Sequence, residues 1–301
     1  MHAVGAARSA GDARTHEALV SAGQGGTWTV LDLSEPCTRT ARELRFDVDP
    51  ELAEATAATW LGRMVNEYRS GVVFERTAEL LARAGQPEHV VEECRSFAAE
   101  ERRHGVLCGA VVLRAGGVAR AAVEAEEPYP LHADTTPQVA VVRNLIAISC
   151  MAETVAVALI GEERERMPDG PLRELLTGIW ADEVGHARFG WRTVAAMLPT
   201  LDQASREAVS AYLPIAFEHL ERHELAHLPL AARARSGGEV YGLCSGEEAR
   251  ELFYATVEQA VVAGLEALGL PARRAWEERH LYAFVPSRVA PSTTLRTASP
   301  S

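Results

Sequence analysis

Two copies of the pattern Glu-x-x-His are the residues of this sequence best suited to chemistry. The first runs from Glu101 to His104 and the second from Glu183 to His186. Residues three apart project from the same face of an α-helix, so each pair could chelate one metal ion. A single copy is typical of solvated helix surfaces. Two copies, each flanked by apolar residues at helical spacing, predict a buried metal site.

Glu153 adds a carboxylate in the middle of the most hydrophobic stretch of the chain, residues 139–161. Burying an isolated carboxylate costs several kcal/mol, so this side chain must be protonated, paired with a cation or bound to a metal. A core salt bridge to an arginine is the alternative to a metal site.

The fourth carboxylate should come from the helix that precedes Glu101. Residues level with each other across a helical hairpin should show similar spacings in two similar hairpins, and Glu153 and Glu183 are 30 residues apart. Glu67 precedes Glu101 by 34 residues and Glu75 by 26, so the spacing leaves both open. We choose Glu67 because its helix face is mostly apolar, and keep Glu75 as the alternative.

Two further acids, Glu100 and Asp182, lie four residues before the two histidines. A carboxylate in this second layer would orient an imidazole and raise its basicity, and Arg103 could balance one of these charges. Ordinary surface charge is the alternative interpretation of all three residues.

This donor set favours two iron ions. Four carboxylates and two neutral imidazoles supply no thiolate and carry a combined charge of −4, which two divalent ions would cancel. Manganese or a mixed iron–manganese pair is possible, whereas zinc would bind without redox chemistry. Dioxygen is the expected co-substrate.

Helical periodicity and turn residues predict the elements that must position these side chains. The predicted helices cover about 50–84, 88–113, 138–166, 171–198, 203–225, 246–268 and 274–282. Short turns join the first pair and the second pair, and a long connection links the pairs. The expected fold is therefore all-α, a ferritin-like four-helix bundle with a long crossover between helices 2 and 3.

Residues 27–33 read as a short strand or an extended segment. The expected organisation is an N-terminal arm over 1–47, the bundle over 48–199, additional helices over 200–285 and a disordered tail over 286–301.

Composition excludes several other classes of protein. The 301 residues include no lysine, which excludes Schiff-base, pyridoxal-phosphate, Walker-type and protein-kinase chemistry. A net charge of −12 disfavours nucleic acid as a partner. Five cysteines without a Cys-x-x-Cys pattern favour a reducing, cytoplasmic setting, and neither a signal segment nor a membrane span is predicted.

The set Glu67, Glu101-x-x-His104, Glu153 and Glu183-x-x-His186 resembles the ligands of the ferritin-like di-iron carboxylate superfamily. The strings EERRHG and ADEVGH are similar to those of its oxygen-activating members, among them acyl-carrier-protein desaturases and bacterial di-iron monooxygenases. The resemblance covers about residues 52–198 and implies a four-helix bundle, two irons and dioxygen or peroxide chemistry. This chain differs in having Glu100 where many members have aspartate and Gly185 where many have arginine. Ile179 stands where the N-oxygenase branch has an extra histidine.

Several other residues near the motifs have two interpretations. Gly71, Gly105, Gly109 and Gly185 indicate close helix packing or a small cavity, and Tyr68 indicates core packing or a redox-active phenol. Cys108 and Cys150 are expected to be small core residues. His219, His223 and His227 recur at every fourth position, and their acidic surroundings favour a solvated face.

The sequence therefore predicts a non-haem di-iron oxidase or oxygenase acting on a small organic molecule, with electrons from an external donor. A homodimer is compatible with this prediction. A ferritin-type iron-oxidising or metal-handling protein and a non-catalytic helical binding protein are the alternatives. A relative that hydroxylates tRNA is disfavoured by the acidic charge.

Overall fold

The chain folds into an all-α protein with one small sheet. The structure, a computed structural model, describes residues 18–21, 27–124, 129–228, 230 and 236–282. The expected tail over 286–301 lies outside these residues. The helices are α1 Ser34–Glu43, α2 Ala53–Arg83, α3 Glu88–Arg114, α4 Pro137–Leu145, α5 Glu153–Arg166, α6 Pro171–Met197, α7 Gln203–His227, α8 Gly246–Thr256, α9 Ala263–Ala267 and α10 Ala272–Glu278, and the strands are β1 Ala18–Ser21, β2 Thr27–Asp32 and β3 Arg120–Glu124.

Helices α2 and α3 form the first hairpin, and they pack against each other along their length. Gly85 ends α2 with a left-handed φ of 74°, and its N–H donates to the carbonyl of Ala82. The N–H of Gln86 donates to the carbonyl of Leu81, which completes a glycine C-cap. Pro87 then occupies the N-cap position of α3, whose first residue is Glu88. This short turn sets Glu67 and Glu101 on neighbouring helices.

The second hairpin joins the continuous helical segment 137–166 to α6. Thr136 caps its start by accepting a hydrogen bond from the N–H of Val139. Between α4 and α5 the segment contains a π-helix, Ile146–Ala152, which the periodicity of the sequence did not predict. A π-helix closes its hydrogen bonds between residues five apart and is wider than an α-helix, so it shifts the faces of the residues that follow it. Glu153 is the first residue after this shift.

The small sheet joins the N-terminal segment to the crossover between the two hairpins. Strand β2 pairs antiparallel with β1 on one side and with β3 on the other. The prediction of a strand near residues 27–33 thus corresponds to β2, whereas β1, β3 and α1 were not predicted. Helix α1 packs on α3, where the thiol of buried Cys37 lies over Gly109.

The helices after residue 200 pack on the second hairpin. Helix α7 lies against α4, and α10 lies against α7. Glu221 of α7 accepts hydrogen bonds from Arg279 at 2.9 Å and from the hydroxyl of Tyr254 at 3.0 Å, which ties the C-terminal helices to α7. A second π-helix, Val257–Val262, connects α8 to α9.

Within the described residues, one helical segment, 137–166, has the length and apolar composition of a membrane span. Its mean hydropathy over the most apolar window is 1.8, and 44% of that window is buried inside the protein. The central helix of a bundle meets the same criteria, so this finding is weak evidence for a membrane.

Two glycines on α6 should respond in opposite ways to alanine. A Cβ on Gly190 would lie 2.2 Å from the Cβ of Ser149, in the π-helix, whereas a Cβ on Gly178 would meet nothing within 4 Å. We expect Gly190→Ala to lower the free energy of unfolding by about 1–3 kcal/mol through overpacking. Gly178→Ala should raise it by up to about 1 kcal/mol because alanine favours helix. Urea denaturation followed by circular dichroism measures both, and an unchanged Gly190→Ala variant would contradict this packing.

Candidate metal centre

Six side chains from four helical elements meet in the interior and form two overlapping groups of possible metal ligands. Within each group, the ligand atoms all lie within 4.8 Å of one another. Glu101 and Glu183 belong to both groups, so the two groups overlap at these two acids. One group is Glu67, Glu101, His104 and Glu183, and the other is Glu101, Glu153, Glu183 and His186.

The two shared acids each turn one oxygen toward each histidine. Glu183 Oε1 lies 3.2 Å from Nδ1 of His104, and Glu183 Oε2 lies 3.0 Å from Nδ1 of His186. Glu101 Oε1 lies 3.1 Å from Nδ1 of His186, and Glu101 Oε2 lies 4.0 Å from Nδ1 of His104. Carboxylates in this position can bridge two ions.

Glu67 and Glu153 complete the two ends of the cluster. Glu67 Oε2 lies 3.4 Å from Nδ1 of His104 and belongs to the same group, whereas Glu153 belongs to the group of His186. The cluster is almost closed to water: both histidines are fully buried, and the side chain of Glu67 is the most open ligand at 13% exposure.

A second layer of acids holds the histidines from outside. Nε2 of His104 lies 3.0 Å from Oδ2 of Asp182, and Nε2 of His186 lies 3.0 Å from Oε2 of Glu100. Each acid therefore contacts the histidine of the opposite hairpin and not the one four residues along its own helix. Arg103 also donates to Oδ2 of Asp182, at 2.6 Å, so it balances this acid.

These outer contacts fix which nitrogen faces the cluster. A carboxylate that accepts the Nε2–H of a histidine leaves the Nδ1 lone pair available to a metal. Both histidines therefore present Nδ1 to the four inner carboxylates.

Aromatic rings close the cluster on the side of His186. The rings of Phe97 and Phe74 lie 4.5 and 5.1 Å from the imidazole, measured between centroids, and Phe189 packs edge-on against Phe97 at 5.2 Å. These rings remove water from one flank of the cluster and strengthen the electrostatic interactions inside it.

The inner acids and histidines compete for protons. Burial and the neighbouring Glu183 raise the pKa of both Glu101 and Glu153. Burial would raise the pKa of Glu183 as well, but its contacts with His104 and His186 outweigh burial and lower it. Burial would lower the pKa of His104 and His186, yet the contacts with Glu183 raise them to about 11 and about 9.

The residues present fit a pair of divalent cations. Nδ1 of His104 is buried and has no hydrogen-bond partner among the described residues. Within the same part of the chain, no arginine forms a salt bridge with Glu153, so the structure gives no support to the alternative of a core ion pair there. Three buried carboxylates and the half-buried Glu67 without a guanidinium need positive charge from another source, and a metal ion could supply it.

The other residues singled out in the sequence lie outside the cluster. Glu75 is on the surface, where Arg102 contacts it at 2.7 Å, and Ile179, Cys108 and Cys150 are buried core residues. The backbone and side chain of Tyr68 pack on Gly105.

The glycines near the motifs do not all have the same role. A Cβ on Gly71, Gly105 or Gly109 would lie 3.1 Å or less from a neighbouring atom, so close packing requires these glycines. A Cβ on Gly185 would meet nothing within 4 Å, so packing does not explain this residue.

Two features of the centre were not recognised in the sequence. The crossed contacts of Glu100 and Asp182 depend on how α3 and α6 lie side by side, and no pattern within either helix indicates that. The aromatic flank shows in the sequence only as apolar positions on three separate helices.

No protein-family model, no curated protein and no solved structure matches this chain. The function is therefore inferred from the chemistry of the cluster.

Removing an outer acid should weaken metal binding without removing a ligand. We expect Asp182→Ala and Glu100→Ala each to lower the affinity for divalent iron or manganese by about 10–100-fold, because the histidine they hold loses its orientation. Anaerobic titration calorimetry measures this, and Glu174→Ala, an exposed acid on α6, is the matched control. Equal affinities for all variants and the wild type would show that the outer contacts do not orient the histidines.

Metal binding should also strengthen as pH rises. Because the pKa values of His104 and His186 are raised to about 11 and about 9, both imidazoles carry protons near neutral pH that a metal must displace. We expect protons to be released on binding and the apparent affinity to increase steadily from pH 6 to pH 9. Calorimetry in buffers of different ionisation enthalpy counts the released protons, and a pH-independent affinity would contradict the assignment of the imidazoles as ligands.

Proposed function

We propose that this protein is a non-haem di-iron oxidase or oxygenase of the ferritin-like type. The observation that supports the proposal is the pair of overlapping four-donor groups that share Glu101 and Glu183. Two adjacent ion positions joined by shared carboxylates suit reactions in which two metals act on one small molecule.

The order of the elements also supports a ferritin-like bundle. One acid comes from α2, a Glu-x-x-His pair from α3, one acid from the start of α5 and a second Glu-x-x-His pair from α6. A long crossover separates the two hairpins, as in bundles that build a two-metal carboxylate site from facing helices.

The donor set favours iron over softer metals. Six oxygen and nitrogen donors without a thiolate suit iron or manganese, and two divalent ions would balance four carboxylates. When bound, a pair of irons would supply the electrons and open coordination positions that dioxygen activation requires.

The roles of the protein residues follow from their positions. Glu67 and His104 would hold one ion, Glu153 and His186 the other, and Glu101 and Glu183 would contact both. Glu100 and Asp182 would keep the Nε2 protons in place, and the phenylalanine rings would exclude water from the reacting side. A small organic substrate and an external electron donor complete the proposed reaction.

Storage of iron is less consistent with this chain. Helices α7 and α8 pack on the second hairpin and use surface that a minimal four-helix bundle would leave free for a cage. An oxidase needs no such free surface.

Iron titration followed by oxygen exposure tests the proposal. We expect the anaerobic protein to bind two ferrous ions per chain and, on mixing with oxygen, to show a transient visible absorption band with little further iron uptake. Iron accumulating far beyond two ions per chain would instead indicate storage, and no iron binding would indicate a non-catalytic bundle. Either of those results would overturn the proposed function.

Single substitutions at the ligands give a second test. We expect Glu153→Ala and His186→Ala to abolish stoichiometric binding of two irons, because each removes a ligand of the same ion. The helical content should remain, as measured by circular dichroism, since the hairpins are held by their apolar faces. Glu75→Ala, an acid on the surface of α2, should bind two irons like the wild type. Two irons retained in either ligand variant would count against the ligand set.

A further inference from the structure

A second set of side chains of the kinds that can ligate metals lies on the last turns of α7, apart from the centre described above. Residues 223–227 read His-Glu-Leu-Ala-His. Histidines four apart on a helix lie on one face, and this spacing, with a glutamate after the first histidine, is the pattern that helices use to hold a zinc ion.

The structure brings the two imidazoles of this pattern together. The rings of His223 and His227 lie 4.9 Å apart between centroids and meet edge to face at 65°. This separation allows one nitrogen of each ring to turn toward the same ion. His219 stacks on the other side of His223, with a centroid distance of 6.0 Å.

Both rings are held in the neutral form that binds metals. Removal from water, followed by repulsion between a protonated ring and the neighbouring basic groups His227, His219, Arg222 and Arg69, lowers the pKa of His223 to about 3. Burial and Arg69 also lower the pKa of His227. Although the surroundings shield the rings in part, both residues keep exposed surface, so an ion from solvent can reach them.

The helix end favours a cation at this place. His227 is the last residue of α7, and the C-terminus of a helix carries the negative end of its dipole. The helix end is also rigid: Arg250 of α8 donates to the carbonyls of Leu228 and Leu225, and the N–H of Leu228 donates to the carbonyl of Glu224. A fixed backbone keeps the two histidines side by side, so binding an ion would order only their side chains.

We propose that His223 and His227 form a mononuclear site for a divalent transition metal of the zinc class, open to solvent and completed by water. Imidazole nitrogens are ordinary zinc ligands, and zinc sites with fewer protein ligands than coordination positions keep water bound. Glu224, half-buried beside them, is outside the ligand pair, as glutamate is in this motif.

His219 does not belong to the site. It precedes His227 by eight residues, which is about 12 Å along a helix, too far for one ion to bind both. Its Nδ1 also lies 3.2 Å from the guanidinium of Arg222. The site therefore depends on His223 and His227 as a pair.

Zinc stoichiometry tests the assignment. Equilibrium dialysis of the full chain against zinc, followed by metal analysis, should show about one zinc ion per chain fewer for His223→Ala and for His227→Ala than for the wild type. His219→Ala and Glu224→Gln are the matched controls and should bind as much zinc as the wild type. Circular dichroism checks that each variant is folded, which we expect since the substituted rings keep exposed surface.

Two results would overturn the assignment. One is wild-type zinc stoichiometry in His223→Ala or His227→Ala, and the other is a loss of zinc in His219→Ala or Glu224→Gln, which would place the ligands elsewhere. Metal in the interior centre does not obscure the test. His186→Ala should lose interior metal, and combining it with His223→Ala should still lower the zinc content further. The surface site can therefore fail while the di-iron proposal stands, and the reverse also holds.

Discussion

The cost of removing four carboxylates from water constrains the centre of this molecule. Glu101 and Glu183 are each 2% exposed, and Glu153 is 8% exposed. Charged acids this close repel one another, and the desolvation of each charged group costs several kcal/mol of folding free energy. The apolar faces of the two hairpins must supply enough stability to hold them together, and histidines and protons or cations must offset the charge. The phenylalanine rings exclude water from the cluster, the packed glycines let the helices approach closely, and the outer acids hold the histidines in place.

Much of the centre could be predicted because its signals are local. A carboxylate on an apolar helix face is visible in the sequence, and so are the turns at Gly85 and at residues 167–170 that make neighbouring helices antiparallel. The spacing between helices left Glu67 and Glu75 open, and the mostly apolar face of the helix favoured Glu67. The structure brings Glu67 into the cluster and leaves Glu75 on the surface.

Other features depend on contacts between distant segments and left no local signal. Strand β3 has the sequence Arg-Ala-Ala-Val-Glu, which lacks a clear strand pattern, and it forms because β2 offers its edge. Helix α1 is short and gains its stability from packing on α3. The π-helix before Glu153 reads in the sequence as ordinary helix, because its residues are apolar on every side.

The crossed contacts of the outer acids make the two hairpins depend on each other for alignment. If one hairpin slid by a helical turn relative to the other, Asp182 would lose His104 and Glu100 would lose His186 in the same movement. A bundle assembled in the wrong register would thus lose both acid–histidine contacts at once. A slipped packing therefore costs more free energy than it would if each histidine were held by an acid of its own hairpin. Correct alignment of the two hairpins and correct placement of the two imidazoles are coupled.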